Sequence, residues 1–444
     1  MTASPGARAG DWSARVLHFV GIGGAGMSGL ALIAQELGAS VTGSDRAESS
    51  YTERLREHGI EPRIGHDAEN VPAGAEVVFS TAVPADNPER RVAGRELHRS
   101  ELLAQIAALK RCLAVTGTHG KTTTAAMAVH ILRGCGLDPA YVVGGELRDT
   151  GANAGWGEGE WIVVEADESD RSLLRLAPEV AILTNAELDH HATYSSRLDL
   201  EDTLREFMGR ATLRAVVWDR PALRALCPPP PRSSAYDAPD AVLSPRGSRF
   251  HWSGIEVSLA VPGLHNAINA AGALTAAALA GAEPAAAAAA LADFRGARRR
   301  FELLGCSEKD VPIYDDYAHH PTEVAATIAA ARTLAPRRVV AVFQPHLYSR
   351  TRALAGEFGR ALAGADVAVV LPVYAARERA EDFPGVDGHL VAAATADAAA
   401  GSPVAWMPSF DAGRSFLARA LRPGDLCLCM GAGNIDALAR SLVA

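Results

Sequence analysis

Cysteine is scarce in this chain: six in 444 residues, none in a Cys-x-x-Cys pair. That excludes a disulfide framework. Cys427 and Cys429 sit in an apolar run with no histidine nearby, so free thiols in a reducing compartment are expected. Positive charge is also short. Lys and Arg total 43 against 52 Asp and Glu, a net charge of −9. This argues against a nucleic-acid partner, apart from a local patch. Long apolar runs are missing too. Val16 to Val20 is cut off by glycines, too short for a signal peptide's core of about 7–15 residues. Ala270 to Leu291 is broken by Glu283-Pro284, so it reads as two helices and not as a membrane span of about 20 residues. No internal repeat is visible. A cytoplasmic protein with no nucleic acid and no membrane as partner is expected. With 48% hydrophobic and 21% charged residues the chain is globular, and its length suggests about three domains.

What is present is a series of strand ends carrying polar motifs. The buried-strand pattern Val16 to Val20 runs into Gly21-Ile22-Gly23-Gly24-Ala25-Gly26, then a helical pattern from Met27 to Leu37 stopped by Gly38. A second strand follows, Ala39 to Gly43, ending in Ser44-Asp45. This is a βαβ unit whose glycines let backbone N–H groups approach a pyrophosphate. Asp45 lies 24 residues after Gly21, about where a ribose-binding acid would sit. Another strand, Glu76 to Phe79, leads into Ser80-Thr81. A tight strand–helix turn without ligand is the plainer alternative.

Cys112 to Val115 feeds a second loop, Thr116-Gly117-Thr118-His119-Gly120-Lys121-Thr122-Thr123-Thr124, and a helix through Leu132. It departs from the usual P-loop spacing, which would need glycine where Val115 stands. The physics is the same. Backbone N–H groups ring a phosphate, Lys121 adds a cation, and a threonine hydroxyl can reach Mg2+. The strand Trp161 to Val164 delivers Glu165-Ala166-Asp167-Glu168-Ser169-Asp170 at its carboxyl end, where ligands of open sheets bind. One or two acids suffice for Mg2+, and Glu165 is the first choice. Val180 to Leu183 leads to Asn185 and then Asp189-His190-His191, where adjacent histidines are by themselves weak metal candidates. Gly263-Leu264-His265-Asn266 opens an Ala-rich helix, with Asn266 and Asn269 on one face as caps or adenine contacts.

A third stretch begins at Arg298-Arg299-Arg300-Phe301, either a solvated helix end or a phosphate clamp. Asp315-Asp316-Tyr317-Ala318-His319-His320-Pro321 joins a strand to a helix. Val339 to Phe343 ends in Gln344-Pro345-His346-Leu347-Tyr348-Ser349-Arg350. Val367 to Leu371 and Leu426 to Met430 complete another parallel α/β sheet.

Taken in order, these motifs resemble the Mur ligases over nearly the whole chain, from about Val16 to Asn434. The resemblance carries Gly21 to Ser28, Asp86-Asn87-Pro88, the P-loop variant, Glu165 to Asp170, Asn185 to His190, Gly263 to Asn269, Arg299 to Phe301, Asp315 to Pro321 and Gln344 to His346. It implies an α/β fold of three domains. Residues 1–109 would form a Rossmann-like UDP-sugar domain, 110–297 a central P-loop ATPase, and 298–444 a Rossmann-like domain for the incoming amino acid. It implies an ATP-dependent ligase that phosphorylates the carboxylate of UDP-N-acetylmuramate and lets the amine of L-alanine attack. Gly21, Gly23, Gly24, Gly26, Asp45, Ser80 and Thr81 would then hold the UDP-sugar. Gly117 to Thr123, His265, Asn266 and Asp316 would hold ATP. Thr122, Glu165 and His190 would sit at Mg2+. Tyr317, His346 and Arg350 would face the amino acid. Lys121, Glu165, His190, Arg300 and His346 would carry catalysis, in a monomer or weak homodimer.

The chain departs from the family pattern twice. Leu347 stands where an arginine is common, which puts the amino-acid preference in question. His191-Ala192 replaces a Met-Asp pair beyond His190. Three rivals are open: a sister ligase that adds a whole peptide, an NAD-dependent dehydrogenase built on Gly21 to Asp45, and a non-catalytic nucleotide sensor.

Overall fold

The structure, a computed structural model, describes residues 12–189 and 193–444. Its contacts divide the chain into two units: 1–237 with 271–290, and 238–270 with 291–444.

In the first unit a five-stranded parallel sheet has the order Arg63–Ile64, Ser40–Asp45, Val16–Val20, Glu76–Phe79, Arg95–His98. Val16–Val20 is central and fully buried in four of its five residues, His18 among them, as a mostly apolar central strand requires. The expected helix begins at Ala25, two residues earlier than the apolar spacing indicated, and ends at Glu36. A seven-stranded sheet lies in the same unit. Its order is Ser233–Tyr236, Arg214–Trp218, Val180–Leu183, Arg111–Thr116, Trp161–Glu165, Ala140–Leu147, Ala152–Gly155. All pairings with described register are parallel except the last, a hairpin-like edge. Parallel strands put their carboxyl ends on one side, so the loops after Thr116, Glu165 and Leu183 gather there.

One apolar cluster runs through both sheets, from Leu17 and Leu30 to Ile162 and Leu204. The helix Ala25–Glu36 links them. Asn153 on the edge strand donates its side-chain N–H to the carbonyl of Ala25. A Cβ on Gly29 would lie 2.8 Å from the Ala154 methyl, so glycine is what allows this close approach.

The second unit holds a three-stranded antiparallel sheet, Val242–Ser244, Gly247–Trp252, Ile255–Leu259, and a six-stranded one. The six-stranded order is Glu302–Cys306, Pro312–Asp316, Asp425–Met430, Arg338–Phe343, Val367–Val370, Val404–Trp406. Only Glu302–Cys306 is antiparallel to its neighbour. The apolar segment interrupted by Glu283-Pro284 is two helices, Leu264–Leu279 and Pro284–Ala290. No described helix is long and apolar enough to cross a membrane.

The Gly29 contact is testable. Gly29→Val should lower stability by about 1–3 kcal/mol through overpacking, read as a drop in thermal midpoint. Gly209→Ala, at a helix end with open space around it, should be neutral or slightly stabilising. Equal effects of the two would remove the packing argument.

Candidate active site

The first unit builds its site around the loop between the strand Arg111–Thr116 and the helix Lys121–Gly134. The loop is clamped from the next strand's end. Asn185 Oδ1 accepts the His119 N–H at 2.8 Å, and Asn185 Nδ2 donates to the His119 carbonyl at 3.0 Å. Thr184 Oγ1 donates to that carbonyl at 2.6 Å. Thr118 Oγ1 donates to the Glu187 carbonyl at 2.8 Å and accepts the Glu187 N–H at 2.9 Å. Gly117 has φ +127°, and a Cβ there would lie 2.2 Å from Thr184 Oγ1. Only glycine satisfies both conditions. Gly120 caps the helix, Thr122 is buried and Thr123 half-buried.

Lys121 Nζ donates to the carbonyls of Gly117 (2.7 Å) and Thr118 (3.0 Å) and lies 2.9 Å from Glu168 Oε2. Burial alone would favour the neutral amine. The carboxylates of Glu168, Asp167 and Glu165 outweigh it and hold Lys121 above its ordinary range, so it is a fixed cation. Thr122 Oγ1 lies 2.9 and 3.1 Å from the two oxygens of Glu165, and the Gly144 N–H reaches Glu165 Oε2 at 2.6 Å. The two expected metal-side groups are therefore adjacent. His190 lies outside the described residues.

Gly26, the last glycine of the first turn, and Glu165 border one cavity of about 90 Å³. Arg99, Ser100, Gly144 and Asp167 line it with them. A neighbouring depression of about 440 Å³ is lined by Thr81, His98, Ser100, Arg171 and Arg175 among others. Ser80 is half-buried beside Thr81 and is not part of that lining. Gly21 and Ile22 donate their N–H groups to the Ser44 carbonyl at 2.8 and 2.9 Å, and Gly24 donates to the Gly21 carbonyl. Asp45 accepts the Gly23 N–H at 2.8 Å and the Arg46 N–H at 2.7 Å. Its carboxylate braces the turn that it was expected to serve as a ribose contact.

Sequence reasoning missed Arg99. Its guanidinium lies over Gly26, 3.3 Å from where a Cβ would stand, and 3.5 Å from Asp167. The signal was its place at the carboxyl end of the strand Arg95–His98.

The second unit gathers the other candidates. Asp316 accepts the N–H groups of Phe301 and Ala318, both at 2.7 Å. Burial pushes Asp316 up to about 6, partly offset by Arg300. Asp315 is also pushed up to about 6 by burial, against the pull of Arg299. Arg299 lies 3.1 Å from Asp315 and donates to the carbonyls of Gly431 and Gly433. Arg300 stacks on the Tyr317 ring at 5.0 Å. Tyr317 meets His319 edge-on at 5.3 Å, and His319 meets His346 at 6.1 Å. His346 stacks on Tyr374, and its Nδ1 is 3.3 Å from Arg350 Nη1. Arg300, Asp316, Tyr317, His346 and Arg350 thus form one neighbourhood. Asn266 Nδ2 donates to the Pro262 carbonyl at 2.7 Å, which ties the helix start to the loop before it. Burial pushes His265 down to about 4, leaving a neutral imidazole. Leu347 is buried at the start of the helix Tyr348–Leu362 with φ +68°.

A phosphate loop with a largely buried lysine, an adjacent hydroxyl–carboxylate pair, and a second glycine turn whose last glycine shares a cavity with that carboxylate define a nucleotide-dependent group-transfer enzyme of α/β fold. The chain belongs to the Mur ligase family. Family profiles match in succession: "Mur ligase family, catalytic domain" over 16–111, "Mur ligase middle domain" over 115–277, and "Mur ligase, glutamate ligase domain" over 299–433. A UDP-N-acetylmuramate–L-alanine ligase of Mycobacterium sp. (strain JLS) is 42% identical, with 97% of this chain and 95% of that protein aligned. One from Rubrobacter xylanophilus is 44% identical over 96% of this chain and 99% of its own. The crystal structure of UDP-N-acetylmuramate–alanine ligase from Thermotoga maritima superposes with a TM-score of 0.81 at 28% identity, covering 96% and 97% of the two chains.

The raised acid gives a pH prediction. The folded state holds the Asp316 proton more tightly than the unfolded chain, whose aspartates titrate near about 4. The stabilisation is complete below that value and is lost as pH rises through about 6. Between pH 4 and 7, Asp316→Asn should lose about 1–3 kcal/mol less stability than the parent in urea unfolding. Identical pH dependence would show that Asp316 does not titrate there.

Proposed function

We propose that the chain joins L-alanine to the carboxylate of UDP-N-acetylmuramate with ATP as the energy source, in the making of peptidoglycan precursors. The observation that carries this reading is the cavity shared by Gly26 and Glu165. It holds the last glycine of the turn suited to a nucleotide diphosphate and the carboxylate that contacts Thr122 of the phosphate loop, with Arg99 on its wall. The full-length likeness to L-alanine ligases supplies the substrate pair.

A carboxylate is a poor electrophile because oxide is a poor leaving group. Its oxygen takes the γ-phosphoryl of ATP, the bond to the β-phosphate oxygen breaks, and ADP departs. The amine nitrogen then bonds to the acyl carbon, and the carbon–oxygen bond to phosphate breaks. Amide and inorganic phosphate result, and the ammonium proton is released. Two anions must meet for the first step, so local positive charge decides the rate. Lys121 supplies a permanent charge beside the loop. Arg99 reaches toward the first turn and is placed to hold the sugar's carboxylate. Thr122 and Glu165 fit Mg2+: a hydroxyl and carboxylate oxygens already in contact at a strand end. Bound there, the ion would screen the phosphate charge. In the second unit, Arg300 and Asp316 are assigned to ATP, Tyr317 and Arg350 to the amino acid. His346 accepts the ammonium proton. Six free cysteines fit a cytoplasmic enzyme.

The test is phosphate release from ATP with UDP-N-acetylmuramate and L-alanine, each omitted in turn. Release should require all three. Release without an amino acid would sink the ligase reading, and NADH turnover would revive a dehydrogenase. Lys121→Ala should cost at least about 100-fold in kcat/KM. Near-normal turnover would contradict its phosphate role. Leu347 is assigned a share of the amino-acid pocket. Leu347→Arg should lower the KM for L-alanine relative to glycine and L-serine, and unchanged ratios would dismiss that assignment.

A further inference from the structure

The segment Asp86-Asn87-Pro88-Glu89 takes no part in the chemistry above, yet it places an acid where the fold has none to spare. Asn87 Oδ1 accepts the N–H groups of Glu89 (2.9 Å) and Arg90 (3.4 Å), and Pro88 opens the short helix Pro88–Arg91. This local structure turns Glu89 inward, where it is fully buried. Its Oε1 accepts from Asn70 Nδ2 at 2.7 Å and from the Asp67 N–H at 3.3 Å. Its Oε2 accepts from Ser44 Oγ at 2.5 Å and lies 3.3 Å from His66 Nδ1 and 3.6 Å from His18 Nε2. Burial alone would raise its pKa. The nearby His18 ring and the hydrogen bonds from Ser44 and Asn70 outweigh burial and hold it at about 2, so the group is a carboxylate.

Ser44 carries that anchor to the glycine turn. Its carbonyl is the acceptor for the N–H groups of both Gly21 and Ile22, and the next residue, Asp45, accepts the Gly23 N–H. Ser44 stands opposite Val20 in the parallel pairing of Val16–Val20 with Ser40–Asp45, at the carboxyl end of both strands. A shift of Ser44 moves the two acceptors that hold three consecutive N–H groups of the turn, those of Gly21, Ile22 and Gly23. An unpaired buried carboxylate is costly, so Glu89 fixes the Ser44 side chain strongly.

We propose that Glu89 is a positioning residue for the nucleotide-sugar substrate: acting through Ser44, it sets the shape of the turn from Gly21 to Gly26 that receives the diphosphate. This rests on the reading that the turn binds the UDP-sugar. A purely structural acid would lower stability without favouring one substrate. A positioning acid shifts the KM for one substrate alone.

The experiment compares the parent, Glu89→Gln, Ser44→Ala and Thr42→Val in steady-state assays and thermal unfolding. Thr42 Oγ1 meets His18 Nδ1 at 2.8 Å, so its loss disturbs the same buried network without touching Ser44. Glu89→Gln should raise the KM for UDP-N-acetylmuramate about ten-fold, with kcat and the KM values for ATP and L-alanine within about two-fold. Ser44→Ala should act in the same direction by about three-fold. Thr42→Val should lower the thermal midpoint and leave every KM unchanged. Calorimetric titration with UDP as probe should show the same ten-fold weakening for Glu89→Gln. Unchanged KM and UDP affinity, or losses spread over all three substrates, would overturn the proposal. Should Glu89→Gln fail to fold, Ser44→Ala decides by the same criteria. A parent enzyme without turnover would refute the ligase reading instead, and the UDP titrations would still test Glu89.

Discussion

Lys121 holds a permanent positive charge in a largely buried place, where water screens it weakly. Its ammonium binds two carbonyls of its own loop and the buried carboxylate of Glu168, and feels Asp167 and Glu165 beyond. Removing either partner of such a pair leaves an uncompensated buried charge, which costs far more than the pair itself contributes. The loop, the strand end at Glu165 and the acids after it are therefore coupled electrostatically. The clamp from Thr184, Asn185 and Glu187 fixes the loop from the other side. The result is a loop whose shape is set before any phosphate arrives, which is how electrostatic catalysis avoids reorganisation during the reaction.

Much of this was legible in the sequence, for a physical reason. Central parallel strands are covered on both faces, so Val16–Val20, Val180–Leu183 and residues 339–343 read as largely apolar runs. Parallel pairing then sends the residues after them to one edge. That is why Thr122 and Glu165, far apart in sequence, meet in space. The strand Arg95–His98 was not legible. It lies at a sheet edge, two of its four residues are exposed, and its charges hide its pattern. Arg99, which follows it, was missed with it.

Direction was the other thing the sequence concealed. Asp45 and Asp316 are both the last residues of strands and are both expected at ligands. Each also accepts backbone N–H groups of neighbouring residues. An acid after a strand announces that unpaired N–H groups are near. It does not say whether they belong to a ligand or to the protein, because both satisfy the same lone pairs. Net charge misled in a similar way. An excess of nine acids says little about sites where Lys121 and Arg99 each stand within a few ångströms of the acids that hold them.

The chain crosses between the two units at 237, 270 and 290. Residues 271–290 therefore belong to a body whose other residues were all made earlier. Tyr236 packs its ring against Gly272, and His130 bonds to the Ala290 carbonyl. On a ribosome, which delivers the chain from its N-terminus, the first unit is incomplete until residue 290 has emerged, and by then the start of the second is already outside. Neither unit can be obtained by a single cut. The order of synthesis and the division into units are interleaved along the chain.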